Sequence, residues 1–306
     1  MRDGAKASGA WVPGWFWPSL SAPGALWLLA LFVVPFFVIL AVAFGRLDPI
    51  FLTPEPVYNP AQWQFDSFQR VLGQIFTGGT VFQAAFLRTL AYVAIAASLC
   101  LAVGYPVAYF IARHAGRFKA FFLVAFLAPF WVSYMMRMLA WINLLQEDGY
   151  VNRILTGLQV VPQPIAWLEA KPATVILGLV YGYIPYMILP LYATLDRIER
   201  STIEAARDLG AGQVRAFVRV TLPLSRPGIL AGLVLVSLPM FGDYYTQSLL
   251  SASRNTAMLG NLIVSSIQST LVVEGAALVL MLMVLLIIPM LYYLRSTTRT
   301  REILGT

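Results

Sequence analysis

Six long apolar stretches, separated by shorter polar ones, run through the chain: about Ala25–Phe44, Gln83–Ala112, Ala120–Leu144, Ala173–Leu195, Gly228–Leu249 and Leu271–Leu294. A helix needs roughly 20 mostly apolar residues to cross about 30 Å of hydrocarbon. The pattern therefore predicts an all-α integral membrane protein with six transmembrane helices. It divides the chain into an N-terminal segment (1–24), a membrane domain (25–294) with an outer loop at 45–82 and a polar loop at 196–227, and a tail (295–306). The first stretch follows Arg2 and Lys6, and Ala41–Ala43 resembles a signal-peptidase site. Its apolar run exceeds the roughly 7–15 residues of a cleaved signal core, which predicts a retained anchor. The run of rings Trp11–Pro18 (WVPGWFWP) reads as an aromatic anchor at the membrane interface. The outer loop, rich in proline and aromatics, has no clean period and is expected to form a small cap or short interfacial helices.

Composition agrees with this picture. Of 306 residues, 59% are hydrophobic and 11% charged, against about 25% charged in soluble domains. The net charge of +7 does not point to nucleic acid, because the basic residues are spread through loops. Fourteen Lys and Arg fall in the segments on one side of the predicted spans and five on the other, with Arg88 and Arg137 in or at the edge of spans. The excess of positive charge marks the cytoplasmic side, so both termini are expected to be cytoplasmic. One cysteine, Cys100, and one histidine, His114, exclude a disulfide framework and a Cys/His metal cluster. Cys100 reads as an inert small hydrophobe, and His114 as a solvated neighbour of Arg113. No phosphate-cradling G-x-x-x-x-G-K-[ST] and no catalytic triad or carboxylate pair is present, so neither a bound cofactor nor a catalytic site is expected of this chain.

The polar loop is more ordered than a connection requires. Ser201–Glu204 reads as a capping box, Ile203, Ala206 and Leu209 share a helix face, and Gly210–Gly212 supplies a turn. Val214, Phe217 and Val218 mark a second short helix, after which Pro223 and Pro227 end it and restart the chain as a span. The result is a helix–turn–helix with apolar knobs and a basic rim, read either as a docking surface or as an ordered loop. A dinucleotide fingerprint fails, because Arg215 stands where Gly or Ala is needed. Gly178–Gly182 and Gly228–Gly232 fit G-x-x-x-G helix packing.

Charged groups within spans are costly and usually face a cavity or a partner. Asp243, beside Pro239 and Gly242, is the main candidate, with Arg137 and Glu274 towards the outer side. Asp243 reads either as a carboxylate that attracts a passing ammonium or as one half of an ion pair with Arg137. Trp131, Tyr134, Tyr181, Tyr183, Tyr186, Tyr244 and Tyr245 offer faces for a cation, or serve as packing and interfacial belt.

Glu204-Ala205-Ala206, then Gly210, then Val220-Thr221-Leu222-Pro223, resembles the EAA motif of inner-membrane permease subunits of bacterial ABC importers, with every spacing kept and Val220 in place of Ile. Pro129–Asn152 and Gly178–Glu199 are similar to the polyamine-type branch of that family. The resemblance implies a type I ABC importer permease fold in the bacterial inner membrane. It implies that Glu204, Ala205, Ala206, Gly210, Leu222 and Pro223 belong to a coupling helix seated in an ATPase subunit. It also implies a pair of such ATPases using ATP and Mg, a second, homologous but different permease, and an extracytoplasmic substrate-binding protein. The implied solute is a polyamine, spermidine or putrescine. The segment Phe241–Asn255 departs from that branch, which leaves ferric iron, a phosphonate or an opine as alternatives. An ion-coupled secondary transporter is the rival outside the family, but the paired inverted repeats typical of that class are not seen.

Overall fold

The structure, a computed structural model, describes residues 15–48, 50–51, 53–77 and 79–304, with side chains to 295. Helix α1 (Phe16–Ala43) passes through a π-helical turn at Leu29–Val33. It starts earlier than the apolar run suggests, so Trp17 and Pro18 of the expected aromatic anchor lie in its first turn. Trp11, Arg2 and Lys6 lie outside the described residues. The outer loop folds as a small cap: β1 (Arg46–Leu47) pairs antiparallel with β2 (Pro54–Glu55), and α2 (Asp66–Phe76) buries Val71 and Ile75 from one face. Asp48 closes the hairpin. Its carboxylate accepts the backbone N–H groups of Phe51 (2.9 Å) and Ile50 (2.7 Å), which hold it below the usual carboxylate range. Phe44, Trp63, Phe65 and Phe68 pack as rings beneath the cap.

The centre of the molecule is a pair of long helices, α3 (Val81–Arg113) and, further along the chain, the helix Pro172–Arg197, which make the most extensive contact in the fold. Between spans the hydrophobic effect is weak, so close approach and dispersion carry the packing. Ala96, Ala97, Cys100 and Gly104 supply the small surface on α3, and a methyl group at Gly104 would lie 3.1 Å from Met187. The buried Cys100 thiol faces the Val180 carbonyl at 3.7 Å.

The third apolar stretch, Ala120–Leu144, is not the single helix its length suggests. α4 (Lys119–Leu127) runs into a 3-10 turn at Ala128–Trp131, and Val132 and Ser133 are extended. α5 (Tyr134–Leu145) then departs at an angle of 87° and is followed by α6 (Tyr150–Gly157). The Ser133 hydroxyl caps α5 by accepting the Met136 N–H at 3.4 Å. Next come α7 (Pro172–Arg197), α8 (Arg200–Asp208), α9 (Gln213–Leu224) and α10 (Arg226–Gly242), the last two meeting at 60°. α11 (Tyr245–Leu250), α12 (Leu259–Gln268) and α13 (Val272–Leu304) complete the chain. The fifth apolar stretch, Gly228–Leu249, is thus also divided, at Asp243. Among the described residues four helices, α1, α3, α7 and α13, are long and apolar enough to span a membrane unbroken, and the two bent pairs raise the number to six.

The two ends of the bundle differ. At one end Lys119 pairs with Asp196, the Tyr105 hydroxyl meets that of Ser225 at 2.9 Å, and Phe217 packs edge-on to Tyr105 and Tyr109. At the other, Arg70 of the cap pairs with Glu274 at 3.5 Å, and Arg88 donates to the carbonyls of Arg254 (3.0 Å) and Ala257 (2.8 Å).

A buried carboxylate at a helix break and the polar loop at the other end of that helix

Asp243 and Tyr244 interrupt the chain between α10 and α11. Gly242 and Pro239, both expected to take part in the break, belong to α10, Gly242 as its last residue and Pro239 within it. A broken helix at membrane depth frees backbone groups that must find partners inside the protein, and side chains supply them here. Asp243 Oδ1 accepts the Thr246 N–H at 3.0 Å, the arrangement of an N-cap. Asn261 Nδ2 donates to the Tyr244 carbonyl at 3.0 Å, and Thr89 Oγ1 accepts the Leu259 N–H at 2.8 Å.

Three hydroxyls converge on the second oxygen of the same carboxylate. Asp243 Oδ2 accepts from Tyr134 Oη (2.9 Å), Tyr183 Oη (3.1 Å) and Thr246 Oγ1 (2.5 Å), and the Tyr134 and Thr246 hydroxyls also lie against each other. Asp243 is 6% exposed. Tyr134 arrives from the first turn of α5, just after the 87° bend, and Tyr183 from the middle of α7. Gly182 makes room for Tyr134: a Cβ there would stand 2.7 Å from the ring. Gly178, one turn earlier, lies against Thr246 in the same way, so this G-x-x-x-G seats the site. The other, Gly228–Gly232, packs α10 against Thr194 and Met187 of α7.

The expected ion pair between Asp243 and Arg137 is not formed. Arg137 Nε donates to the Val132 carbonyl at 3.2 Å, and its guanidinium lies over the rings of Phe130, Tyr134 and Tyr181 instead. The reason is local: Arg137 sits one turn beyond the bend, and its side chain folds back onto it. Of the expected ring residues, Tyr134 and Tyr183 bind the carboxylate, Tyr181 holds Arg137, and Tyr186 continues the row beside Tyr183 at 6.2 Å. Trp131 is 81% exposed, and Tyr244 stacks on Tyr245 at 4.1 Å. Glu274 belongs to the pair with Arg70. Sequence reasoning missed Thr246 and Phe130. The first was signalled by an acid three residues before a threonine at a helix start, a capping spacing; nothing in the sequence singles out Phe130 from the other apolar rings.

The polar loop forms the expected helix–turn–helix, with two corrections. Glu199, not Ser201, is the N-cap residue of α8, and the Ser201 hydroxyl donates to the Glu199 carboxylate at 3.1 Å, so no capping box forms. Pro223 does not end the second helix. A π-helical turn at Phe217–Thr221 precedes it, which eases the missing N–H and the ring clash of an internal proline. The chain breaks later, at Ser225, and Pro227 lies in the first turn of α10. Gly210 makes the turn at φ +84°, a conformation that other residues reach only with strain. Leu209 (90% exposed) and Val214 (77%) project at the tip, beside Arg215 and Arg219. Glu204 and Ala205 are exposed, Ala206 is half-buried, and Leu222 and Pro223 are half-buried at the base of the loop.

Residues 19–301 match the family described as binding-protein-dependent transport system inner membrane component. The chain is 32% identical over 237 residues to the spermidine/putrescine transport system permease protein PotB of Escherichia coli (strain K12), covering 78% of this chain and 81% of that protein. The counterpart of Haemophilus influenzae is 31% identical over 239 residues, covering 78% and 79%. Among solved structures, a chain of the bacterial alginate ABC transporter in complex with alginate pentasaccharide-bound periplasmic protein superposes with a TM-score of 0.73 at 16% identity, covering 94% of this chain and 95% of that one, a likeness of fold. The chain therefore belongs to the binding-protein-dependent transport system inner membrane component family, as a multi-pass, non-enzymatic permease subunit of an ABC importer whose family implies ATPase and substrate-binding partners.

Proposed function

We propose that the chain forms, with a second permease of the same family, the membrane pathway of an ATP-driven importer of polyamines, with both termini on the cytoplasmic side. The observation that carries the solute class is the similarity over 237 residues to permeases named for spermidine and putrescine. The geometry supports the same reading. Asp243 is a carboxylate that no basic side chain among the described residues neutralises by direct pairing, held behind tyrosine rings at a break in a span. A ring face attracts a cation by roughly 0.5–2 kcal/mol, so an alkylammonium meets a graded series of weak sites rather than one strong trap. Weak, multiple sites suit a passage that must also release its solute.

Coupling follows from chain continuity. α9 carries the exposed knob Val214 next to Leu209 in the turn before it, joins α10 at the 60° bend, and α10 ends just before Asp243. A separate ATPase pair, using ATP and Mg, grips the Glu204–Pro223 loop. Its closure turns α9 against α10 and so moves the break. ATP shifts the balance only by favouring one arrangement over the other.

Uptake of labelled spermidine and putrescine by cells expressing the whole transporter tests the proposal, with an ATPase-inactive complex as control. Uptake that disappears in the control supports motor and solute together. No uptake by an assembled wild-type complex removes the polyamine assignment.

A further inference from the structure

Arg137 is a half-buried cation held in an unusual way. Its guanidinium carbon lies 4.4 Å from the ring centroid of Phe130, 5.4 Å from that of Tyr134 and 5.9 Å from that of Tyr181. Trp141 stands edge-on behind Tyr181 at 5.3 Å. Among the described residues no carboxylate pairs with Arg137. Of its five N–H donors, that on Nε is bound to the Val132 carbonyl, while Nη1 is buried with no partner among the described residues. A buried guanidinium N–H without an acceptor is costly, and the ring faces are what offset the cost.

We propose that the Phe130–Tyr134–Tyr181 cage is a cation subsite of the pathway, that Arg137 occupies it from within the chain, and that an alkylammonium of the solute displaces Arg137 from it. This rests on the reading that the solute is cationic. Three observations bear on it. Displacement breaks no ion pair, so an incoming ammonium competes only with ring contacts and one bond to a carbonyl. Tyr134 offers its face to the cage and its hydroxyl to Asp243, so the subsite and the carboxylate share a wall. From Tyr134 the rings continue to Tyr183 at 6.0 Å and on to half-exposed Tyr186, a row along which a cation can step. Arg137 thus sets specificity: solutes too weakly cationic to compete do not enter the cage. Its release also frees the carbonyl of Val132, at the 87° bend.

The test uses the complete transporter in lipid nanodiscs, as wild type, Arg137→Ala and Arg137→Gln. Methylguanidinium is the probe, its neutral isostere methylurea is the control, and binding is read from tyrosine and tryptophan fluorescence. Both variants empty the cage of its resident cation, so methylguanidinium binds them at least tenfold more tightly than wild type, and methylurea does not. In uptake, methylguanidinium then inhibits the variants and leaves wild type unaffected. Equal affinity in wild type and variants, or equal binding of methylurea, overturns the proposal. Arg137→Gln keeps the stem and a donor for Val132, so it answers the question if Arg137→Ala does not assemble. The binding readout needs no knowledge of the solute: absence of polyamine uptake by wild type fails the functional reading, whereas absence of the affinity change fails the subsite.

Discussion

At Asp243 four donors meet one carboxylate, and that convergence fixes what a substitution does. Asn at this position presents an N–H group to hydroxyls that are already donating, leaving buried groups unsatisfied at a cost of about 1–3 kcal/mol. Asp243→Asn is expected to reduce uptake at least tenfold while the amount of transporter in the membrane, measured by immunoblot, stays within twofold. Tyr183→Phe removes one donor of the four and is expected to have a smaller effect, near threefold. Equal losses for the two variants would contradict a graded carboxylate site. Asp243 is legible in the sequence because an acid in an apolar stretch is conspicuous. Its partners are less so. Arg137, the only basic residue of the third stretch, is the natural counter-ion by charge, but a bend between the two segments turns it onto rings and brings Tyr134 to the acid instead. Pairing by charge ignores where the backbone points the side chains.

Among the elements, lengths are legible and breaks are not. A stretch that is apolar on every side shows no period to lose, so the interruptions at Val132–Ser133 and Asp243–Tyr244 leave little trace in hydropathy. Proline is an unreliable mark of them: Pro129 stands in the 3-10 turn before the first break, but Pro106, Pro185, Pro190, Pro239 and Pro289 all lie inside continuous helices. The polar loop, by contrast, is legible in all but its cap and its end, because its setting makes apolar knobs and glycines visible. There a methyl group on Gly210 would meet nothing within 4 Å, but φ is +84°, so a side chain is opposed by backbone strain and not by a clash. Left-handed backbone costs an L-residue roughly 1–2 kcal/mol, and Asn tolerates it better than a β-branched residue does. Gly210→Asn is accordingly expected to keep most of the uptake and Gly210→Val to lose most of it, with ATPase co-purification falling in parallel for Val only. Matching losses would show that the turn is not what the partner reads.

For the whole molecule, the basic ends of α3, α7, α8 and α9 gather at one end of the bundle and the cap at the other. Sidedness is testable because the chain has one cysteine, and Cys100 is buried. Gly212→Cys at the loop and Gly79→Cys near the cap introduce exposed thiols. A membrane-impermeant maleimide added to intact spheroplasts is expected to label the second and not the first, and both after permeabilisation. The reverse result would invert the topology.

Helix α1 stands apart from the other spans: no residue of Phe16–Leu28 is buried, and only its last turns join the ring cluster beneath the cap. Its 28 residues extend about 42 Å at 1.5 Å each, longer than a hydrocarbon layer of about 30 Å. Its apolar run from Ala25 to Phe44 accounts for about 30 Å of that length, so a thinner bilayer tilts the helix and a thicker one draws its first turns inward. Because Phe44 at its end stacks on Trp63 at 5.0 Å, the tilt is transmitted to the cap and to the Arg70–Glu274 pair above the sixth span. Transport in vesicles of short-chain and long-chain lipids should therefore differ, and deletion of α1 should abolish the difference: the membrane itself becomes a setting on the transporter's rate.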